Sequence, residues 1–280
     1  MSFSKQLKEE ISKTENLANK EAVKYELIGY LISSNANYEK NKVRFSTENE
    51  YNINRFAKLL NNIGIEQYDI SMQGKNFVII AEVPIILNID IKQLNTEQIK
   101  WLIRGAYLGG GSINNPENAY HLEIGISNKE NTENIVQVLK QFDINSNAIN
   151  KKNDYAVYIK DSEEISKFLA LLGANKSVLR FEEIRVQREM NNKINRLVNC
   201  ESANLNKTIN ASIEQIEAIK KLKENHEFEK LNDSLKEIAE LRLKNPNASL
   251  IELGQMLNTP VGKSGVNYRL KKIMELANEK

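Results

Sequence analysis

The most informative stretch of this sequence is residues 104–113, which read Arg-Gly-Ala-Tyr-Leu-Gly-Gly-Gly-Ser-Ile. Apolar residues recur at helical spacing before it, so the glycines fall at the end of a predicted helix. Glycine at that place allows close approach of two helices or a reversal of the chain. A phosphate-binding glycine loop would instead follow a strand and precede a helix, and no Lys-Ser/Thr pair follows these glycines. The stretch therefore indicates a helix that packs closely against another element.

The segments on either side of this stretch follow the same order twice, at a period of about 75 residues. The first set is a helix, a strand, a helix and two strands, predicted at 5–34, 42–46, 50–62, 68–72 and 77–81. The second set is predicted at 96–108, 120–126, 129–141, 145–150 and 155–160, with Thr96 as the N-cap of its first helix. Because a duplicated unit explains this order economically, we predict an α+β fold of two pseudo-symmetric repeats whose leading helices pack together.

After Lys160 the pattern is helical throughout. Helices are predicted at 162–172, 175–203, 212–224, 228–245, 249–257 and 264–277, with a polar linker at 204–210. The predicted domains are thus a first repeat at 1–92, a second repeat with a long helix at 93–205, a linker helix region at 206–224 and a small all-α domain at 225–280.

Composition excludes several classes of protein. The single Cys200 rules out an intramolecular disulfide and a cysteine metal cluster, and two histidines leave little for zinc or imidazole catalysis. No apolar run reaches the roughly 18 residues of a membrane span, and the first residues lack the apolar core of a signal peptide. We therefore expect a cytoplasmic protein with no membrane segment, no metal site and no cofactor.

Charge is informative only locally, since the net charge is +2. Residues 176–200 contain six Lys or Arg and three Glu, which suggests either a nucleic-acid contact or a solvated helix face. The predicted strands carry a mixed set of charges at Lys42, Arg44, Glu82, Glu123 and Lys160. Because strong DNA binding needs an excess of positive charge, we expect the sheets to bind DNA weakly.

Two short helices joined by a turn near the C-terminal end fit a helix-turn-helix. Ser264 is a plausible N-cap of the second helix, and Val266, Leu270 and Ile273 are spaced to pack inward. The predicted DNA-contacting residues are Lys263, Ser264, Asn267, Tyr268, Arg269, Lys271 and Lys272. The alternative is a plain helical module that docks protein.

The glycine-rich stretch resembles the LAGLIDADG helix, the interface helix of homing endonucleases. Gly105 matches the first glycine of that motif, and Gly111 and Ser112 match its last two positions. The catalytic acid would then fall on Gly110, and on Ser34 in the first repeat. Neither residue supplies the carboxylate that holds a divalent metal beside the scissile phosphate. The resemblance therefore implies the fold of the nuclease without its activity, and an active nuclease is the disfavoured reading.

Both halves together are similar to the WhiA family, which joins a degenerate two-repeat LAGLIDADG domain to a C-terminal helix-turn-helix. The matching segments are 104–112, 201–204 and 263–270, in this order. The resemblance implies a bacterial transcription regulator tied to cell division, chromosome segregation or sporulation, located with the nucleoid and bound to double-stranded DNA. Other transcription or cell-division proteins are further expected partners. A nucleoid-associated or protein-docking scaffold remains the alternative. The polar residues 33–37 of the first repeat depart from the family pattern.

Overall fold

The computed structural model describes residues 2–83, 90–151 and 154–279 of the chain. The chain divides into two compact units, Met1–Glu189 and Met190–Lys280. Each unit has its own hydrophobic core: the first lies between the helices and sheets of the two repeats, and the second lies among helices alone.

The first repeat is a four-stranded antiparallel sheet covered by helices. Its elements are α1 (Phe3–Ser12), α2 (Lys20–Leu31), β1 (Ala36–Glu39), β2 (Lys42–Thr47), α3 (Glu50–Asn62), β3 (Tyr68–Gln73) and β4 (Asn76–Glu82). The strand order is β1-β2-β4-β3. Strand β2 alternates as its sequence predicts, with Val43 and Phe45 buried and Lys42 and Arg44 exposed.

The second repeat has the same topology. Its elements are α4 (Thr96–Gly110), β5 (Gly111–Ile113), β6 (Leu122–Ile126), α5 (Lys129–Lys140), β7 (Asn147–Lys151), β8 (Asp154–Ile159) and α6 (Ser162–Leu171). The strand order is β5-β6-β8-β7. The order matches that of the first sheet strand for strand, which confirms the predicted duplication and the α+β class.

The two repeats meet where α2 packs against α4. A β-carbon placed on Gly29 would overlap the carbonyl oxygen of Leu102, and one placed on Gly105 would overlap the carbonyl oxygen of Glu26. Both obstacles are backbone atoms in the interior of the unit, so they cannot move aside as a flexible side chain can. Glycine at these two positions is what lets the backbones approach so closely, as the glycine-rich stretch predicts.

A buried charge network fixes the same interface. Glu26 of α2 is fully buried and accepts two hydrogen bonds from Arg55 of α3, each of 2.8 Å. Asn16 donates to the same carboxylate at 3.0 Å. Arg104 of α4 places its Nε 4.0 Å from Glu26 and donates to the carbonyl oxygens of Ile11 and Leu172. One carboxylate therefore serves two buried guanidinium groups from different helices.

Three predicted features of the first unit are wrong. The helix predicted over 5–34 is two helices, because the chain turns at residues 13–19, where Arg55 binds the carbonyl oxygen of Thr14 and Asn19 caps α2. The short edge strands β1 and β5 were not predicted, since they have only 4 and 3 residues and β5 follows α4 without a gap. The N-cap of α4 is Asn95, which forms a capping box with Gln98, and Thr96 is already helical.

The second unit is helical. Helix α7 (Asn175–Glu224) begins in the first unit and continues into the second, where it is followed by α8 (Asp233–Lys244), α9 (Leu250–Met256) and α10 (Lys263–Asn278). Ile219 of α7, Ile238, Leu253, Val266 and Ile273 are each fully buried in its core. This packing gathers the last turns of α7 and the three short helices around one apolar centre.

Two boundaries in this unit differ from the prediction. The polar linker predicted at 204–210 is wrong, because α7 runs through it without a break. No glycine or proline occurs from Ala174 to Asn245, and polar Asn, Lys and Thr residues are compatible with a helix. The helix predicted at 228–245 begins later, since Phe228–Lys230 is a 3-10 turn and Asn232 caps α8.

Candidate nucleic-acid interface

Helix α9 is held at its start by a complete capping box. The hydroxyl of Ser249 accepts the backbone N–H of Glu252 at 3.3 Å, and Glu252 accepts the backbone N–H of Ser249 at 2.7 Å. These hydrogen bonds favour the ionised carboxyl and hold the pKa of Glu252 below its usual value. The first helix of the pair is thereby fixed by its own residues.

The turn from α9 to α10 is tied to α8 and to α9. The backbone N–H of Val261 donates to the carbonyl oxygen of Gly254 at 3.1 Å, and a β-carbon on Gly254 would overlap the carbonyl oxygen of Val261. The backbone N–H of Asn258 donates to the carboxylate of Glu237 in α8 at 2.6 Å. The turn therefore sets the angle at which α10 leaves α9, and Gly254 is the residue that permits it.

Arg242 is a structural residue that the sequence analysis missed. Its side chain is buried, and it donates to the carbonyl oxygens of Pro246 and Ala248 at 3.3 and 2.7 Å. Ser212 of α7 also donates to Pro246, at 2.6 Å. Burial lowers the pKa of Arg242 below its usual value. A basic residue in the last turn of a helix reads as a surface charge, so the sequence carried no signal for this role.

The inner face of α10 is as predicted. Val266, Leu270 and Ile273 are at most 1% exposed and lie in the core of the second unit. Their spacing of four and three residues keeps them on one side of the helix. The orientation of α10 is therefore set by apolar packing, which fixes the residues that face outward.

Most of the predicted contact residues lie on the outer face of α10. Lys263, Ser264, Asn267 and Lys271 are exposed, and Tyr268 is 71% exposed. Steps of three and four residues place Ser264, Asn267 and Lys271 in one stripe along the helix. The structure thus brings five of the seven residues to one accessible face.

Arg269 and Lys272 are placed differently. Arg269 is half-buried on the flank of α10, about 160° around the helix from Asn267 at 100° per residue. Lys272 is half-buried and its ammonium lies 3.5 Å from the carboxylate of Glu275. The prediction placed all seven residues against DNA without separating these two from the outer face.

The start of α10 lacks the side-chain cap that the sequence suggested. Its N-cap is Gly262, which provides no side-chain hydrogen bond, and Ser264 lies inside the helix. The prediction of Ser264 as the cap is therefore wrong: the turn ends one residue earlier, and the helix begins at Lys263. Helices α1 to α6, α8 and α9 each have a side-chain acceptor at the N-cap. In the first turn, the N–H of Gly265 donates to the carbonyl oxygen of Gly262 at 2.9 Å, whereas those of Lys263 and Ser264 receive no side-chain cap and suit an external acceptor.

The position that would carry a nuclease acid in the second repeat is closed by backbone. A β-carbon on Gly110 would overlap the carbonyl oxygen of Gly125 in β6. The same carbonyl accepts the backbone N–H of Ser34 at 2.9 Å, and Ser34 occupies the corresponding place in the first repeat. Within the described ranges, no group of three or more Asp, Glu, His or Cys side chains is placed to hold a metal ion.

Family models match both units of the chain. The model of the WhiA LAGLIDADG-like domain matches residues 99–191, and the model of the WhiA C-terminal HTH domain matches residues 194–277. The chain belongs to the WhiA family. The helix pair α9–α10 lies almost entirely within the residues matched by the HTH model, and α4 lies almost entirely within those matched by the LAGLIDADG-like model.

WhiA proteins of other bacteria give the same assignment. A "Probable cell division protein WhiA" from Clostridium acetobutylicum is 48% identical over 198 residues, which are 70% of this chain and 62% of the relative. One from Thermoanaerobacter sp. is 51% identical over 185 residues, 66% of this chain and 58% of the relative. The matched part thus spans about three fifths of the length of these curated relatives. The crystal structure of full-length WhiA from Thermatoga maritima matches with a TM-score of 0.64 and 29% identity, over 100% of this chain and 99% of that one.

The basic stretch of α7, which falls largely within the WhiA LAGLIDADG-like match, is partly engaged in contacts of its own unit. Arg188 donates to the carbonyl oxygen of Pro116, and its guanidinium lies 4.3 Å from the ring centre of Tyr120. Arg185 forms an ion pair of 2.7 Å with Glu182. These contacts favour the reading of this stretch as a structural helix face.

Across the described part of the chain, the helices are too short or too polar to span a membrane.

Proposed function

We propose that this WhiA-family chain is a sequence-specific DNA-binding transcription regulator that inserts α10 into the major groove. The observation that supports it is the outer face of α10, where exposed polar residues stand opposite an apolar face that is packed into the core. A rigid helix with an accessible polar face is the usual reading element of a helix-turn-helix.

The side chains divide into base-reading and backbone-binding groups. The Asn267 amide is suited to a bidentate pair with adenine, and Lys271, one turn along the stripe, is suited to guanine or to phosphate. The open N–H groups at the start of α10 and the hydroxyl of Ser264 favour a phosphate there. Lys263 then contacts the DNA backbone, and Tyr268 packs against sugar or base edges.

Two of the predicted contact residues take a peripheral role in this proposal. Arg269 on the flank and Lys272 beside Glu275 are placed for the phosphates on either side of the groove. Such contacts position the helix and carry no sequence information.

The N-terminal unit acts as a scaffold without nuclease activity. Ser34 and Gly110 provide no carboxylate, and the backbone around Gly110 leaves no room for a side chain. We expect that the pure chain with magnesium or manganese leaves a supercoiled plasmid and its selected duplex uncut. Metal-dependent cleavage at a defined position would contradict this part of the proposal.

The cellular role follows from the relatives. The C. acetobutylicum and Thermoanaerobacter proteins are named as probable cell division proteins, which supports a regulon of cell division genes. The family resemblance extends the proposal to chromosome segregation or sporulation genes and to a location with the nucleoid. Genome-wide mapping of the DNA bound by this chain in its source organism tests this role directly.

The DNA-reading role is tested with the full chain and a pair of matched variants. A duplex is first selected from a random pool, and its affinity is compared with that of random duplex across salt concentrations. Lys271→Ala and Arg269→Ala remove one positive charge each, two residues apart, from the outer face and from the flank. We expect Lys271→Ala to reduce the preference for the selected duplex, and Arg269→Ala to weaken both duplexes equally. Equal losses of preference in both variants would contradict the orientation of α10.

The second candidate is a scaffold whose helix pair docks a protein. It is favoured by exposed apolar side chains on the other helix of the pair, since Ile251 and Met256 of α9 are 55% and 48% exposed. If the selection yields no preferred duplex and neither variant changes DNA binding, this candidate replaces the first.

A further inference from the structure

A polar cavity of about 390 Å³ lies in the first unit. Four parts of the fold meet around it: the start of α1, the end of β2 with the N-cap of α3, the start of β4, and β5. The lining residues are Ser2, Ser4, Lys5, Lys8, Asn35, Ser46, Thr47, Glu48, Asn49, Asn76, Gly111 and Ser112. All but Gly111 carry polar side chains, which distinguishes this cavity from an apolar gap in packing.

Asn49 contributes a buried donor without a partner. The side chain is 7% exposed, and its Oδ1 accepts the backbone N–H of Asn52 as the N-cap of α3. Its Nδ2 is buried and has no hydrogen-bond partner among the residues that the structure describes. A buried N–H group without an acceptor costs about 1–3 kcal/mol, so an acceptor in the cavity would satisfy it.

Thr47 and Lys8 add further donors. The Thr47 hydroxyl oxygen accepts the backbone N–H of Asn49 at 3.2 Å and an amide N–H of Asn52 at 3.4 Å, which leaves its own O–H to donate. The Lys8 ammonium donates to one acceptor in the described part of the chain, the carbonyl oxygen of Leu108 at 3.2 Å. Two of its three N–H groups therefore remain for a ligand.

We propose that this cavity binds the phosphate group of a small phosphorylated metabolite, with Lys8, Asn49 and Thr47 donating hydrogen bonds to the phosphate oxygens. A tetrahedral anion suits donors that converge from three separate elements, α1, β2 and the start of α3. The N-terminus of α3 also favours an anion beside Asn49.

The remaining lining residues determine which groups the rest of the ligand can carry beside its phosphate. Glu48 is exposed and repels a second anionic group, whereas it accepts hydrogen bonds from hydroxyls. Ser46, Asn76 and Ser112 are neutral and can exchange hydrogen bonds with the same hydroxyls. A polyol that carries one phosphate, such as a sugar phosphate, therefore fits better than a di- or triphosphate.

The electrostatics of Lys8 agree with this ligand. Burial lowers the pKa of Lys8 to about 8, so its ammonium is largely charged at neutral pH but poorly solvated. An adjacent phosphate supplies the counter-charge that the described chain does not. Lys5, which is exposed, adds a second positive charge at the rim.

The experiment measures binding of inorganic phosphate and ribose 5-phosphate to the full chain by calorimetry, at constant ionic strength. We expect one saturable site for both probes, with ribose 5-phosphate at least about threefold tighter because its hydroxyls reach the neutral lining. Non-saturable heats with both probes, or tighter binding of inorganic phosphate, would overturn the proposal.

Asn49→Asp is the decisive variant, because it keeps the acceptor that caps α3 and replaces the unpaired donor by an anionic oxygen. Its matched control is Asn95→Asp, the same exchange at the exposed N-cap of α4. We expect ribose 5-phosphate affinity to fall at least about tenfold in Asn49→Asp and to stay within twofold in Asn95→Asp. Equal affinity in the two variants would contradict the site.

Lys8→Met provides a second, independent test in case Asn49→Asp does not fold. Circular dichroism establishes whether each variant is folded. We expect at least about a tenfold loss of affinity here too. A competition experiment with DNA distinguishes a metabolite phosphate from a phosphate of the DNA backbone. If a selected duplex displaces ribose 5-phosphate, and Lys8→Met weakens that duplex as much as the small ligand, the cavity holds a DNA phosphate and the metabolite proposal falls.

Discussion

The backbone polar groups at the end of α4 have side-chain partners, whereas those at the start of α10 lack a side-chain cap. At the end of α4, Leu108 accepts hydrogen bonds from Lys8 and Asn52, and Gly109 accepts one from Asn35 at 2.8 Å. At the start of α10, Gly262 provides no side-chain cap. Internal partners thus take up the carbonyl groups at the end of α4, whereas the start of α10 lacks a side-chain cap and is available to a ligand.

The charged side chains of the two regions differ in the same way: those of the first unit stabilise the fold, and those of α10 are available to bind DNA. Glu26, Arg55 and Arg104 are almost fully buried in the first unit, where Glu26 is hydrogen-bonded to Arg55 and lies 4.0 Å from the Nε of Arg104. Lys263 and Lys271 on α10 are exposed and form no ion pair in the described residues. A substitution in the first set should therefore change folding, and a substitution in the second should change binding.

The largest effect is expected from Glu26→Gln. It leaves Arg55 and Arg104 buried without a counter-charge, which costs about 3–5 kcal/mol of unfolding free energy. Denaturant unfolding of the full chain measures it. Glu97→Gln is the control, since Glu97 is 66% exposed in its 2.6 Å pair with Lys100 and should cost less than about 1 kcal/mol. Similar losses in both variants would show that the buried network does not hold the repeats together.

A smaller loss is expected from Gly105→Ala, because the added methyl meets the backbone of Glu26. Overpacking of this kind costs about 1–3 kcal/mol, and Gly105→Leu should cost at least as much. Gly262→Ala is the control: nothing lies within 4 Å of its added carbon, and the φ of Gly262 is −72°. We expect the control to change stability by under about 1 kcal/mol. Indistinguishable melting temperatures for the two alanine variants would count against the α2–α4 interface.

The smallest effect is expected from Arg44→Glu on β2, where the exposed guanidinium donates to Gln73 at 2.8 Å. The charges of the two sheets are mixed, so this reversal should change DNA affinity by less than about twofold. Lys271→Glu, the same reversal on α10, should reduce affinity by more than about tenfold. Affinities are compared on one selected duplex at one salt concentration. A larger loss of DNA affinity for Arg44→Glu than for Lys271→Glu would indicate that the sheets form the DNA-binding surface.

Much of the fold was predictable because local patterns agree with it. The helix period of α3 and α5, the alternation of β2, and the spacing of Val266, Leu270 and Ile273 all match their burial. Gly105 signalled a close helix contact because it lies inside α4, several residues before the helix ends, where no chain reversal requires glycine. The duplication followed from the repeated order of elements.

What was not predictable depends on contacts between distant segments. The break after α1 exists because Arg55, far along the chain, binds the carbonyl oxygen of Thr14. The cap of α10 moved to Gly262 because the pairing of Val261 with Gly254 sets where the turn ends. The flank position of Arg269 could not be predicted, because it depends on the rotation of α10 about its own axis. An error of one residue in the helical register changes that rotation by about 100°.

The central claim is that the outer face of α10 reads DNA bases, and Asn267→Ala tests it most directly beside Lys263→Ala. Both residues are exposed, but Lys263 is the first residue of α10, beside the turn, whereas Asn267 lies one turn into the helix. Binding of the full-length variants to selected and random duplexes is measured across salt. The account predicts that Asn267→Ala loses about 1–3 kcal/mol on the selected duplex and little on random DNA. Lys263→Ala should weaken both duplexes alike and reduce the salt dependence by about one ion. If Asn267→Ala instead weakens both duplexes equally, or neither, α10 is not the reading helix in this register.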